Sequence, residues 1–227
     1  MIKLERTSVM NLENAIRGAR NPMNSWDRMD SVYYTLDNVA VEERYKIGEF
    51  ELGPNDLSLA RRLIKAGSDH RKFLRQIFVS VDITAPLYWW KEMDTYKVGT
   101  TANSCSTMHK IHAKEFEFGD FSHEHLYSRF GESYEAMDCL ENIIECLNKY
   151  RHLYIETKEK MWWWQMIQLL PSSYNQLRTV TLSYENLLNI YRARKHHKLD
   201  EWHAVCDWIE TLPYFKEMCL ESETDGE

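Results

Sequence analysis

The stretch RQIFVSVDITAP constrains the fold more tightly than any other. Ile77, Val79, Val81 and Ile83 recur at every second position, Ser80 and Asp82 fall between them, and Pro86 closes the run. A β-branched alternation of this length, ended by proline, is a half-buried strand. A strand that buries one face needs paired neighbours, so a chain that elsewhere carries helical periodicity is predicted to be α+β, with a central mixed or antiparallel sheet and long helices. The opening IKLERTSV supplies a second short strand, with Ile2 and Leu4 alternating and Val9 out of step.

Helices are predicted around these strands. In NLENAIRGARN, Asn11 stands at the cap position, Leu12, Ala15, Ile16 and Ala19 form one face, and Asn21-Pro22 is the stop. In PNDLSLARRLIKAG the face is Leu57, Ala60, Leu63 and Ile64, and Gly67 supplies a left-handed end. Residues 23–53 show no sustained period and read as variable surface structure with a short helix near Val41 to Lys46. A long helix is predicted from Glu132 to Lys160, then MWWWQMIQLLP, LSYENLLNIYRARKHH and LDEWHAVCDWIETLP, each with an apolar face. GTTANSCSTMH, residues 99–109, is small and polar, and its hydroxyls serve only if they bond to something. With no composition break along it, the chain reads as one domain over 1–220 with an acidic tail at 221–227.

Composition narrows the function. The 227 residues carry a net charge of −7 with only 8 Gly and 5 Pro, which excludes low-complexity and broadly disordered classes. An acidic balance disfavours extended nucleic acid, because phosphate binding needs a cationic footprint, while a single mononucleotide needs only two or three local cations. No apolar run approaches a membrane span, and the charged opening lacks a secretory stretch, so the expectation is a cytoplasmic protein with no membrane partner. Five scattered cysteines without a CxxC pair read as reduced thiols. The 13% aromatic content suits a core, an interface or a site that stacks planar rings.

Sequence motifs give little chemistry by themselves. His109 with His112, and His123 with His125, lack helical metal-ligand spacing, so no metal is expected. His196-His197 beside Arg192, Arg194 and Lys195 fits a helix C-terminus whose cations complement the dipole. GxGxxG, Walker and GxSxG motifs are absent from the sequence.

Taken in order, the segments resemble the flavin-dependent thymidylate synthases over most of the chain. IKLERTSV and NLENAIRGAR are similar to that family's first strand and arginine-ending helix, and LARRLIKAGSDHRKFLRQIFVSVDITAP to the helix, histidine-containing turn and strand that precede its signature. The signature R-H-R-x-x-S-x-N-E-x-S-x-R falls on DTYKVGTTANSCSTMH with one inserted residue. Thr95, Tyr96 and Lys97 stand for Arg-His-Arg, Thr100 for the first Ser, Asn103 for the Asn, Ser104 for the Glu, Ser106 for the second Ser, and Met108 for the last Arg. LLPSSYNQLRTVTLSYENLLNIYRAR resembles the family's leucine-proline turn and following helix, with Asn189 and Arg194 matching. Ile167, Ser183 and Glu185 depart from Arg, Asn and Arg, and His197 with Glu201-Trp202 resembles the family's closing His and Gln-Trp.

What the resemblance implies is a homotetramer that binds FAD and a dUMP-like mononucleotide, with NADPH and methylenetetrahydrofolate as cosubstrates, and methylates dUMP to dTMP. The cofactor contacts it implies are His70, Tyr96, Thr100, Asn103, Asn189 and His197. The implied substrate contacts are Lys97, Ser104, Ser106, Arg178 and Arg194, with Arg194 the catalytic group that stabilises charge on the uracil. Each lost signature cation removes a charge-assisted hydrogen bond worth ~1.5–3 kcal/mol, so the alternative is a non-catalytic oligomeric or nucleotide-binding descendant. An unrelated helical interaction module is the third reading.

Overall fold

A computed structural model of the chain describes residues 2–127 and 135–221. In chain order it contains β1 (Lys3–Met10), α1 (Leu12–Ala19), β2 (Val32–Tyr33), β3 (Phe50–Glu51), α2 (Pro54–Lys65), β4 (Phe78–Pro86), α3 (Leu87–Met93), β5 (Thr101–Ser104), α4 (Thr107–Lys110), α5 (Ala136–Thr157), α6 (Lys160–Leu169), β6 (Asn175–Ser183), α7 (Tyr184–Arg194) and α8 (Asp200–Glu210). The class is α+β, as the sequence predicts. Four strands form an antiparallel sheet in the order β1-β4-β6-β5, and β2 and β3 pair separately, Val32 with Glu51 and Tyr33 with Phe50.

β4 holds the alternation read from the sequence. Ile77, Val79, Val81 and Ile83 are all buried, each burial contributing about 1.5–3 kcal/mol. Its polar face bonds across to β6, where Thr179 Oγ1 donates to Asp82 Oδ1 at 2.5 Å and Thr181 Oγ1 to Ser80 Oγ at 3.2 Å, the register of an antiparallel pair. In β1, Arg6 takes a left-handed φ of 54°, which inserts a bend between Leu4 and Val9 and accounts for the broken period there.

The chain divides into two compact units. The first comprises residues 1–5, 82–95 and 102–180. Its core joins Ile111, Phe116 and Phe121 to Leu140, Ile144 and Leu147 of α5 and Met166 of α6, and Ile167 packs against this cluster. α5 ends at Lys158, which caps it with a left-handed φ of 59°. Residues 132–134 of the predicted long helix lie outside the described residues.

The second unit comprises residues 6–81, 96–101 and 181–227. α1 packs on α2, and α7 packs on α8 and on the 3-10 segment Lys72–Gln76. Asn11 stands at the start of α1 but makes no side-chain cap; at φ 71° its Nδ2 instead donates to Gln76 O at 2.9 Å. The predicted short helix over Val41–Lys46 is a 3-10 turn, enclosed by the β2–β3 ribbon. Asp30 caps α2 from outside, its carboxylate accepting from the backbone N–H of Asn55 at 2.8 Å and of Asp56 at 3.0 Å. Gly53 stands at the N-cap because a Cβ there would come 2.4 Å from Asp30. Of the predicted acidic tail, residues 222–227 lie outside the described residues, and Glu221 accepts from Arg61 at 2.6 Å. Among the described residues no helix is long and apolar enough to cross a membrane.

Candidate functional site

α7 positions the site of the second unit. Ser183 and Asn186 form a capping box: the Ser183 hydroxyl accepts from Asn186 N at 3.3 Å, and Asn186 Oδ1 accepts from Ser183 N at 3.2 Å. Asn186 Nδ2 also donates to Val98 O at 2.7 Å, which pins the 96–100 turn over the start of the helix. Gly99 makes that approach possible at φ 74°, since a Cβ would meet Asn186 Oδ1 at 3.2 Å.

The far end of α7 carries Arg194. Its Nε donates to Tyr96 OH at 2.9 Å, and its guanidinium carbon lies 4.9 Å from the Trp202 ring centre and 5.6 Å from that of Tyr96. Trp202 is fully buried on α8, with His197 edge-on to it at 6.4 Å. Stacking of this kind contributes roughly 0.5–2 kcal/mol and fixes the guanidinium plane. The structure therefore brings together Tyr96, Arg194 and His197, three residues that the resemblance selected. Beside them, Tyr191, Lys195, His197, His203, Cys206 and Glu210 help line a cavity of about 520 Å³. Burial and the neighbouring carboxylates of Asp207 and Glu210 push the Cys206 thiol up to about 11, so it is no nucleophile near neutrality.

Asn189, half-way along α7, is exposed, and its Oδ1 accepts from Arg71 Nη2 at 3.3 Å. Arg71 also donates from Nε to both oxygens of Glu185, at 3.2 and 2.9 Å, each side chain being about 10% exposed. Sequence reasoning missed Arg71. The signal lay in Glu185 itself, an acid beside the apolar Leu187 and Leu188 that requires a counter-charge when buried. His70, the neighbouring candidate, is exposed on the turn. Lys97 is exposed, and Thr100 holds a buried Oγ1 without a hydrogen-bond partner.

The remaining candidates belong to the first unit. Asn103 and Ser104 are exposed on β5, and Ser106 caps α4 by accepting from His109 N at 3.0 Å. Arg178 is already engaged: Nη1 donates to Asp94 Oδ1 at 2.8 Å, Nε to Gln176 Oε1 at 2.9 Å, and its guanidinium lies 4.2 Å from the Trp90 ring centre. Among the described residues no group of three or more His, Cys, Asp or Glu could hold a metal ion.

No family model matches the sequence, and no curated protein matches it significantly. Solved structures do. Thymidylate Synthase X from Helicobacter pylori, with FAD and dUMP, superimposes with a TM-score of 0.66 at 14% identity, covering 98% of this chain and 99% of that one. A second Helicobacter pylori structure, a flavin dependent thymidylate synthase complexed with FAD and dUMP, gives a TM-score of 0.62 at 16% identity over 97% and 98%. The chain has a thymidylate synthase X-like fold. Within that fold α7 carries Glu185, Asn189 and Arg194 along one helix.

Proposed function

We propose that the chain is a flavin-dependent enzyme that methylates dUMP to dTMP, or performs a related modification of a pyrimidine nucleotide, as a homotetramer. The observation that carries the reading is Arg194, clamped by Tyr96 and Trp202 at the end of α7, in a fold whose solved examples hold FAD and dUMP. The residues present fit a flavin: the half-buried ring of Tyr96, the His197 ring, whose Nδ1 accepts from Leu199 N at 3.2 Å, and a buried Thr100 hydroxyl that lacks a partner, with the fully buried Trp202 backing Arg194. When bound, reduced FAD supplies the hydride chemistry, with methylenetetrahydrofolate as carbon donor and NADPH as reductant.

The chain's own residues would bind and orient. Arg194 donates to the uracil carbonyls and stabilises charge that develops there, while Asn189, His197 and Thr100 hold the cofactor. The hydroxyls of Ser104 and Ser106 in the first unit would face the substrate phosphate and sugar, Lys97 of the second unit being a further substrate contact and Asn103 a cofactor contact. Arg178 joins them only by exchanging Asp94 for phosphate.

The test is a visible spectrum of the purified protein with and without FAD, then a dUMP titration. A flavin band that shifts with dUMP, together with at least a tenfold loss of turnover in Arg194→Ala, is the expected result. A colourless protein that takes up no FAD would overturn it. That outcome favours the second reading, a non-catalytic descendant, which is supported by the closed pairs Arg178–Asp94 and Arg71–Glu185 and by Ile167 packed against the apolar core.

A further inference from the structure

A separate cavity of about 380 Å³ lies wholly within the first unit, where α4 faces the turn between α5 and α6. Of its lining only Met108 falls on the signature positions. Lys158, Lys160, His109 and His112 bring four nitrogen groups to it, Tyr154 and Trp163 bring two aromatic faces, and no carboxylate lines it among the described residues. In a chain of net charge −7, a wall with this composition is unusual.

The wall is held in place from behind. Lys158 adopts its left-handed conformation with its N–H bonded to Tyr154 O at 2.9 Å, a position where glycine is the common choice. Lys160 opens α6 two residues beyond Lys158, and its ammonium lies 5.7 Å from the centre of the exposed Trp164 ring, a contact that a phosphate can replace. Trp163 Nε1 donates to Met108 O at 3.0 Å, which ties α6 to α4. His112 stands edge-on to Tyr154 at 4.9 Å, and its Nδ1 is buried without a hydrogen-bond partner. A buried ring nitrogen left without a partner carries an uncompensated desolvation cost, which a ligand atom at that place recovers.

We propose that this cavity binds a small aromatic phosphate. The ring lies against Tyr154 and Trp163, the phosphate sits between Lys158 and Lys160, and His112 Nδ1 bonds the ligand's polar edge. The volume lies within the small-molecule range, and two ammonium groups match a compact dianion better than a monoanion. The inference does not rest on the flavin reading, and its test contains no flavin.

Phenyl phosphate is titrated into the full-length protein while the Trp163 indole N–H resonance is followed by NMR, with inorganic phosphate as the ring-free control. Binding that shifts the Trp163 resonance, that is about tenfold or more weaker for inorganic phosphate, and that weakens at least about tenfold in the Lys158→Glu, Lys160→Glu double variant is the expected result. Both lysines are exposed, so the double variant should keep the wild-type melting curve. Should it fail to fold, His112→Gln provides the second variant, expected to bind about threefold or more weakly. A parallel titration with dUMP distinguishes the source: competition with phenyl phosphate assigns the cavity to the nucleotide, and its absence to a different aromatic phosphate. The proposal is overturned if phenyl phosphate does not bind up to millimolar concentration, if the shifts fall on Trp202 instead, or if the variants bind as the wild type does.

Discussion

Two buried guanidinium–carboxylate pairs lie in the second unit and are finished differently. Asp56 accepts from Arg20 Nε at 2.5 Å, from the backbone N–H of Asp30 at 3.2 Å and of Ser31 at 2.9 Å, and from the Ser31 hydroxyl at 2.6 Å. The two side chains of that pair are 4% and 0% exposed. Arg71 and Glu185 keep about 10% exposure each, and the next bond from Arg71 goes to an exposed asparagine on the helix that bears Arg194. The first pair is dry, its carboxylate fully satisfied although Arg20 Nη2 is buried without a partner, and it fastens a loop to α2. The second is partly wet, and it orients a surface that a ligand can reach. Burial cost is what separates them, since a pair fully removed from water depends on every one of its donors.

The sharpest way to break this comparison is to remove one partner from each pair. Asp56→Ala leaves the Arg20 guanidinium buried without its counter-charge, so urea denaturation should show a loss of about 3–5 kcal/mol. Glu185→Gln should cost less, about 1–3 kcal/mol, because water can reach Arg71. A double-mutant cycle on each pair gives the coupling directly, and an equal or larger coupling for Arg71–Glu185 would remove the distinction.

A smaller effect comes from the cap next to Asp56. Desolvation pulls the Asp30 carboxyl upward, but the N–H groups of Asn55 and Asp56 outweigh it, and the group titrates below its ordinary 3.8. Its contribution is therefore present above the unfolded value and is lost as pH falls through the depressed folded one. Asp30→Asn should cost roughly 0.5–1 kcal/mol at pH 7. The same substitution should cost nothing measurable once the wild-type carboxyl is protonated, which denaturation curves at acid and neutral pH will compare.

The least disruptive probe contrasts a closed thiol with an open one. With its thiol raised to about 11, Cys206 stays protonated at pH 8 and should alkylate at least about tenfold more slowly than exposed Cys105, gaining on it only as pH approaches 11. Mass-resolved iodoacetamide labelling reads both rates, and equal rates at pH 8 would contradict the buried placement of Cys206.

Periodicity explains which parts of this fold were legible in the sequence. β4 and α7 carry their apolar residues at regular spacing and the predicted faces are the buried ones, while on α2 Ala60 and Ile64 are buried beside Asp56 and Leu57 and Leu63 are half-buried. β6 was missed because its inward positions mix polar with apolar residues. Gln176 is buried only because its Nε2 reaches Cys105 O at 2.7 Å, and Arg178 is held on Trp90, neither of which alternation of hydrophobicity reveals. The site divides in the same way. Arg194 and Tyr96 followed from resemblance, whereas Arg71 lies 114 residues from Glu185 and no local pattern joins them. The reverse holds at Asn11, where a good capping residue in sequence spends its amide on Gln76.

Gly53 and Asp30 also determine how this chain could be re-engineered. They close the excursion of residues 31–52 at its base like a drawstring, with α2's first turn tied into the knot. The loop beyond the ribbon, residues 35–47, can then be shortened or exchanged for a foreign segment while the knot holds. Any side chain at position 53 opens the drawstring and releases the helix, so tolerance to loop grafting should end abruptly at that one glycine.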